Sequence, residues 1–146
     1  MQRREFLLLS AGALLPVPVL GARDAIRVYK NAACGCCEAW IKHLRANGFE
    51  VQAHDVDDTV EHRRRHGVPD ALGSCHTALL GEYVVEGHVP AREIKRLLRE
   101  KPKAAGLAVP GMPIGSPGME GPRIDPYDVL LFQRNGRFTT YARYGR

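Results

Sequence analysis

Three cysteines stand within four residues, Cys34-Gly35-Cys36-Cys37, directly after a short alternating run and directly before an amphipathic one. Any fold for this chain must therefore present several thiols at a strand-to-helix junction. Adjacent Cys36 and Cys37 are poorly placed to bond to each other, because a disulfide needs Cα and Cβ separations that neighbouring residues rarely reach. At a helix start, unpaired backbone N–H groups and the positive dipole end favour thiolates. Three thiolates in one turn repel one another unless a cation or a disulfide intervenes. A soft metal or a dithiol exchanging electrons is the use that fits such a cluster. The remaining cysteine, Cys75, is followed by His76.

Periodicity gives the surrounding elements. Ile26 to Lys30 alternates and reads as a strand. Cys37, Trp40, Ile41 and Leu44 then recur at helical spacing, and Asn47-Gly48 stops that helix. Phe49 to Val56 reads as a second strand, with Phe49, Val51 and Ala53 on its apolar side. Asp57-Asp58-Thr59 caps a short second helix that ends at Gly67. After a loop, Cys75 to Leu80 and Tyr83 to Glu86 form a hairpin around Gly81-Glu82. Pro90 then opens a third helix striped by Ile94, Leu97 and Leu98, which ends at Lys101-Pro102. Gly106 to Pro126 reads as a long Gly/Pro-rich loop, and Val129 to Tyr144 as a second hairpin turning at Asn135-Gly136.

The order β-α-β-α-β-β-α, with a cysteine motif opening the first helix, predicts an α/β thioredoxin-like domain over residues 23–103. A C-terminal extension with a Gly/Pro/Met loop and a β-hairpin follows over 104–146. Cys34 and Cys37 have the offset of the redox pair in that fold, and Val68-Pro69 precedes the third strand. Residues 1–22 read as a twin-arginine-type signal peptide: Arg3-Arg4, an apolar run from Phe6 to Leu20 broken by Pro16 and Pro18, then Gly21-Ala22. That run is too short and irregular to span a bilayer comfortably. A periplasmic protein with no membrane insertion after signal removal is the expectation. There, idle thiols drift toward disulfides, so four retained cysteines need a role.

Net charge is +5, but the densest basic run, His62-Arg63-Arg64-Arg65-His66, lies at a helix end that the dipole favours. No aromatic residues interleave with it, which argues against nucleic acid. Hydrolytic constellations and phosphate-binding glycine loops are absent.

Candidate ligands extend beyond the cluster. In a thioredoxin-like arrangement Cys75 faces Cys34, Cys36 and Cys37 as a fourth thiolate. Strand alternation would turn His76 to the other face, making it the weaker candidate. His88 is held between Gly87 and Val89-Pro90 and is a candidate ligand or supporting group. His43, His54, His62 and His66 fall on exposed faces by pattern and are set aside. Met112 and Met119, the only methionines besides the initiator, stand in a Gly/Pro-rich loop that needs neither for packing. Thioether sulfur selects Cu(I) over hard cations. A closed structural zinc site uses more widely spaced cysteine pairs, and Cys36-Cys37 suits bridging thiolates better.

Four segments, Cys34-Gly35-Cys36-Cys37-Glu38-Ala39-Trp40, Ser74-Cys75-His76-Thr77, Glu86-Gly87-His88-Val89-Pro90 and Gly111 to Glu120, together resemble the CopG-type copper-resistance proteins of Gram-negative bacteria. The resemblance implies a periplasmic thioredoxin-like domain that holds copper in a cysteine-bridged multinuclear cluster and interconverts Cu(I) and Cu(II) in support of efflux. Cys34, Cys36, Cys37 and Cys75 would be the bridging thiolates. Copper ions, several per chain, are the expected cargo of a monomer, with periplasmic copper-efflux or chaperone proteins as partners. Two alternatives stay open. One is a passive module that sequesters or hands on copper; the other is a thiol-disulfide oxidoreductase with Cys34 and Cys37 as its catalytic pair.

Overall fold

The computed structural model describes residues 25–146; the signal-peptide expectation falls on residues outside these. The chain forms one seven-stranded mixed sheet with helices packed against it. Its elements are β1 (Ile26–Lys30), α1 (Gly35–Ala46), β2 (Val51–Asp55), α2 (Thr59–Arg65), a 3-10 turn (Asp70–Leu72), β3 (His76–Leu80), β4 (Tyr83–Glu86), α3 (Ala91–Glu100), β5 (Gly106–Ala108), β6 (Tyr127–Phe132) and β7 (Phe138–Tyr144). Among the described residues, no helix is long and apolar enough to cross a membrane.

Strand order is β2-β1-β3-β4-β5-β6-β7. β1 and β2 are parallel, as are β4 and β5, and the other neighbours are antiparallel. This register decides where the chemistry falls. Lys30, the last residue of β1, lies opposite His76, the first of β3, so the cysteine loop after β1 meets Cys75 just before β3. Thr77 lies opposite Glu86, and Glu86 opposite Ala108. The segments that follow β4 and β5 therefore leave from the same end of the sheet.

Both faces are covered. One core gathers Ile26, Val28, Trp40, Ile41, Leu44, Val85, Ile94, Leu97 and Leu107; the other packs Val68 and Leu72 against Val84, Leu130 and Phe132. The apolar stripe of α1 is buried as its spacing requires. Trp40 is fully buried and donates from its indole nitrogen to the Val89 carbonyl (2.9 Å), tying α1 to the entry of α3. Truncating such a residue typically costs about 3–5 kcal/mol. Asp58 caps α2, accepting from the Glu61 amide at 2.9 Å.

Three expectations are corrected. Ala53 is exposed, because β2 is an edge strand that buries only Val51. The Gly106–Pro126 segment is not all loop: Gly106–Ala108 is a buried strand inside the sheet. Only glycine fits at its head, since a Cβ on Gly106 would lie 1.7 Å from the Val84 carbonyl oxygen. Cys75 lies outside β3, which begins at His76. Strand alternation therefore does not separate these two side chains.

Candidate metal centre

Seven side chains that carry sulfur or imidazole converge where β1 ends, β3 begins and the loops after β4 and β5 return. Cys34 is the N-cap residue of α1 and offers no side-chain cap, leaving its sulfur available for other bonds. Here Cys34 and Cys37 are joined as a disulfide, while Cys36 and Cys75 are free. The Cys36 sulfur lies 3.5 Å from that of Cys34, 3.8 Å from that of Cys75 and 3.9 Å from the Met112 thioether. Cys75 Sγ in turn lies 3.0 Å from His88 Nε2 and 3.4 Å from His76 Nδ1.

Donor atoms therefore form two groups that share Cys75. Cys34, Cys36, Cys37 and Cys75 make one, and Cys75, His76 and His88 the other; within each, all ligand atoms lie within 4.8 Å of one another. Backbone carbonyls orient both imidazoles. His88 Nδ1 lies 2.7 Å from the Pro117 oxygen, and His76 Nε2 lies 3.0 Å from the Gly87 oxygen. A carbonyl only accepts, so those nitrogens carry the protons, and the opposite nitrogens turn bare lone pairs toward Cys75. Hydrogen bonding at the far ring nitrogen is how proteins orient metal-binding histidines.

Electrostatics follow from burial. His76 and His88 are fully buried. Burial, with His88 beside it, lowers the His76 pKa to about 3, and burial also lowers that of His88. Both imidazoles are accordingly neutral near pH 7, the form a metal needs. Burial, reinforced by Cys36, pushes the Cys75 thiol up to about 12. A cation between these groups would reverse that preference, since a coordinated thiol loses its proton.

Supporting groups carry no sulfur or imidazole, so pattern reading passed over them. Glu86 is buried and accepts from the Ser74 amide (2.8 Å) and the Thr77 hydroxyl (2.6 Å). Ser74 donates its hydroxyl to the Gly111 carbonyl, and the Gly111 amide donates to Gly73 (3.0 Å). One carboxylate thus fixes the segment before Cys75, which in turn holds the root of the Met112 loop. Lys30, also buried, pairs with Glu38 at 2.7 Å and Asp55 at 2.6 Å, clamping the turn between β1 and α1. The signal for both was a charged residue inside a strand that otherwise reads as buried.

The loop closes over α1 through Gly118, whose φ is +89°. A Cβ there would meet the Cys36 carbonyl at 2.7 Å and the Trp40 amide nitrogen at 2.9 Å. Of the two methionines, Met112 reaches the cluster and is 49% exposed. Met119 is held in a backbone turn, its amide donating to the Ser116 carbonyl and its carbonyl accepting from the Gly115 amide. His43, set aside from the sequence, is half-buried and accepts from the Ala91 amide at 3.1 Å, capping α3.

The chain is similar to the solved structure titled "Copper resistance protein copG- Form 1", with 49% identity and a TM-score of 0.80 over 86% of this chain and all of that one. A second structure, "Copper resistance protein copG- Form 2", matches with 50% identity and a TM-score of 0.79 over 84% of this chain and 99% of that one. The chain belongs to the CopG copper-resistance family. Residues 72–119 also match the family described as "Protein of unknown function, DUF411". No curated protein matches. The DUF411 segment holds Cys75, His76, His88, Met112 and Met119, while the CopG match takes in nearly all the described residues. Membership together with the cysteine group supports a copper-related function and a capacity to bind metal.

Proposed function

We propose that this protein holds Cu(I) in a cysteine-bridged multinuclear cluster in the periplasm and interconverts Cu(I) and Cu(II) in support of copper resistance. The single observation that carries the reading is Cys75, whose sulfur belongs at once to an all-sulfur group and to a group with two neutral imidazoles. Soft thiolates favour Cu(I), whereas imidazole also suits Cu(II), so adjoining groups offer each oxidation state a different set of donors. A shared thiolate gives metal ions in the two groups a common bridge. The strand order β2-β1-β3-β4 with α1 and α3 on one face supports the thioredoxin-like domain expected for residues 23–103, and the extension from 104 carries Met112, whose sulfur lies near Cys36.

The disulfide supplies an electron account. Two Cu(I) ions each give up one electron; the Cys34–Cys37 bond accepts both with two protons, leaving two Cu(II) ions and two thiols. In reverse, the dithiol reduces two Cu(II) ions and closes the bond. In the disulfide form Cys36, Cys75, His76, His88 and Met112 remain as donors; in the dithiol form all four cysteines are available.

Loading with Cu(I) under anaerobic conditions, with copper and free thiols counted per chain, tests the reading. More than one copper per chain, with all four thiols blocked until the metal is stripped, is expected. Negligible copper together with a Cys34–Cys37 bond that opens and closes reversibly would instead favour a thiol-disulfide oxidoreductase. The bond itself is the observation that keeps this second reading in view. Replacing Cys36 separates the two, because a CxxC enzyme keeps its activity and a cluster does not.

A further inference from the structure

At the opposite end of the sheet from the cysteines lies a groove of about 960 Å³, open to solvent, between the α1–β2 turn, the β3–β4 turn, the end of α3 and the segment that follows it. It is separated from Cys75 by the length of β3, roughly 16 Å at about 3.3 Å per residue. Its floor is apolar: Phe49 and Leu98 are half-buried and Leu80 is buried. Lys95, Arg99, Lys101 and Lys103 also line the groove, all exposed. Elsewhere on α3, Arg92 and Arg96 are neutralised by Glu93 and Glu100. None of the four groove cations forms an ion pair among the described residues, and only Glu50 and Glu82 oppose them in the lining. Lys95 instead lays its ammonium over the Phe49 ring, 5.9 Å from the centroid.

Shape and charge together define the occupant. A volume of this size suits a ligand or peptide segment. Lys95 and Arg99 are one helical turn apart on the same face of α3, and Lys101 and Lys103 lie in the segment that follows it. Four unpaired cations spread over residues 95–103 suit several carboxylates along a segment. An apolar floor beside them takes up a hydrophobic side chain. From this we infer that the groove is a docking site for an acidic segment of a partner protein in which an apolar residue is flanked by carboxylates. Electrostatic complementarity of this kind sets association rate and partner choice more than raw affinity. The site lies far enough from the cysteines for a partner to dock without covering them, and the inference does not depend on the copper chemistry.

A capped decapeptide with two leucines flanked by glutamates, titrated into the 15N-labelled protein, tests this directly. The expected result is amide shifts confined to residues 47–50, 80–83 and 95–104, with affinity falling as salt rises. Arg99→Glu with Lys103→Glu is expected to weaken binding about tenfold or more, leaving copper content unchanged. The same charge reversal at exposed Arg143 on β7 is expected to leave binding intact. Shifts centred on Arg63–Arg65, equal binding of a peptide with glutamine in place of glutamate, or a response only to anionic phospholipid vesicles would each overturn the proposal.

Discussion

At the end of the sheet where β1 runs out and β3 begins, polar side chains are buried: Lys30, His76, Thr77, Glu86, His88 and Ser116. At the other end apolar Phe49 and Leu98 are only half-buried, and the cations beside them are exposed. Burying polar groups is unfavourable unless each finds a partner. Here the partners are specific. Glu86 takes an amide and a hydroxyl, each histidine engages one carbonyl, Lys30 has two carboxylates, and the Ser116 hydroxyl meets the Pro113 carbonyl at 2.6 Å. The first end therefore fixes donor atoms in place before metal arrives. The second leaves an adaptable surface. Preorganisation at one end and exposure at the other divide metal chemistry from docking.

The sharpest way to break that contrast is to remove the atom both donor groups share. Cys75→Ser is expected to weaken Cu(I) binding by more than about 100-fold, beyond the usual loss from altering a supporting partner. Competition with a Cu(I) chelator reads this out; a loss no greater than that of Met112→Leu would mean the two groups are independent.

Next comes the closure of the loop. Gly118→Ala combines a left-handed backbone with contacts at 2.7 and 2.9 Å to α1. A cost of about 1–3 kcal/mol is expected, read as a lower Tm. Unchanged stability would show that the loop is not seated on α1 as described.

A smaller effect concerns pH. Burial raises the Glu86 pKa to about 7. Between its ordinary value of 4.5 and about 7, the folded state holds a proton that the unfolded state has released, so this group lowers stability as pH rises. His76 acts oppositely. Its folded pKa is depressed to about 3 from 6.5, so stability rises with pH across that window and levels off above it. From pH 4.5 to 6.5 the two slopes offset each other. Glu86→Gln is expected to expose the histidine slope, so that stability climbs more steeply over this range than in the parent. Denaturant melts at several pH values check it, and parallel curves would contradict the assignment.

Smallest of all is Met112→Leu. Met112 is half exposed and its sulfur lies 3.9 Å from Cys36, so a loss of no more than a few-fold in Cu(I) affinity is expected. Chelator competition again measures it; a loss as large as that of Cys75→Ser would make Met112 a principal ligand.

Much of this site was legible because its residues are chemically rare. Cys34, Cys36, Cys37 and Cys75 announced a soft-metal or redox site, and flanking Gly87 and Val89-Pro90 singled out His88. A strand read as beginning at Cys75 underrates His76; one residue of loop removes the alternation that would part them. β5 is hard to read because Gly106 and Ala108 are poor strand formers and the segment sits in a Gly/Pro-rich stretch. The close approach of the Val84 carbonyl that demands Gly106 is a tertiary fact. Glu86 and Lys30 were hidden for the same reason: their roles come from partners 12 and 25 residues away. Met112 and Met119 look equivalent in sequence; the fold tells them apart by bringing the Met112 sulfur to 3.9 Å from that of Cys36.

Copper K-edge X-ray absorption on the Cu(I)-loaded protein tests the central claim most directly. A bridged cluster predicts a first shell dominated by sulfur and a short copper–copper vector that is lost in Cys75→Ser. A shell of nitrogen and oxygen, or sulfur neighbours with no copper–copper vector at any loading, would contradict it.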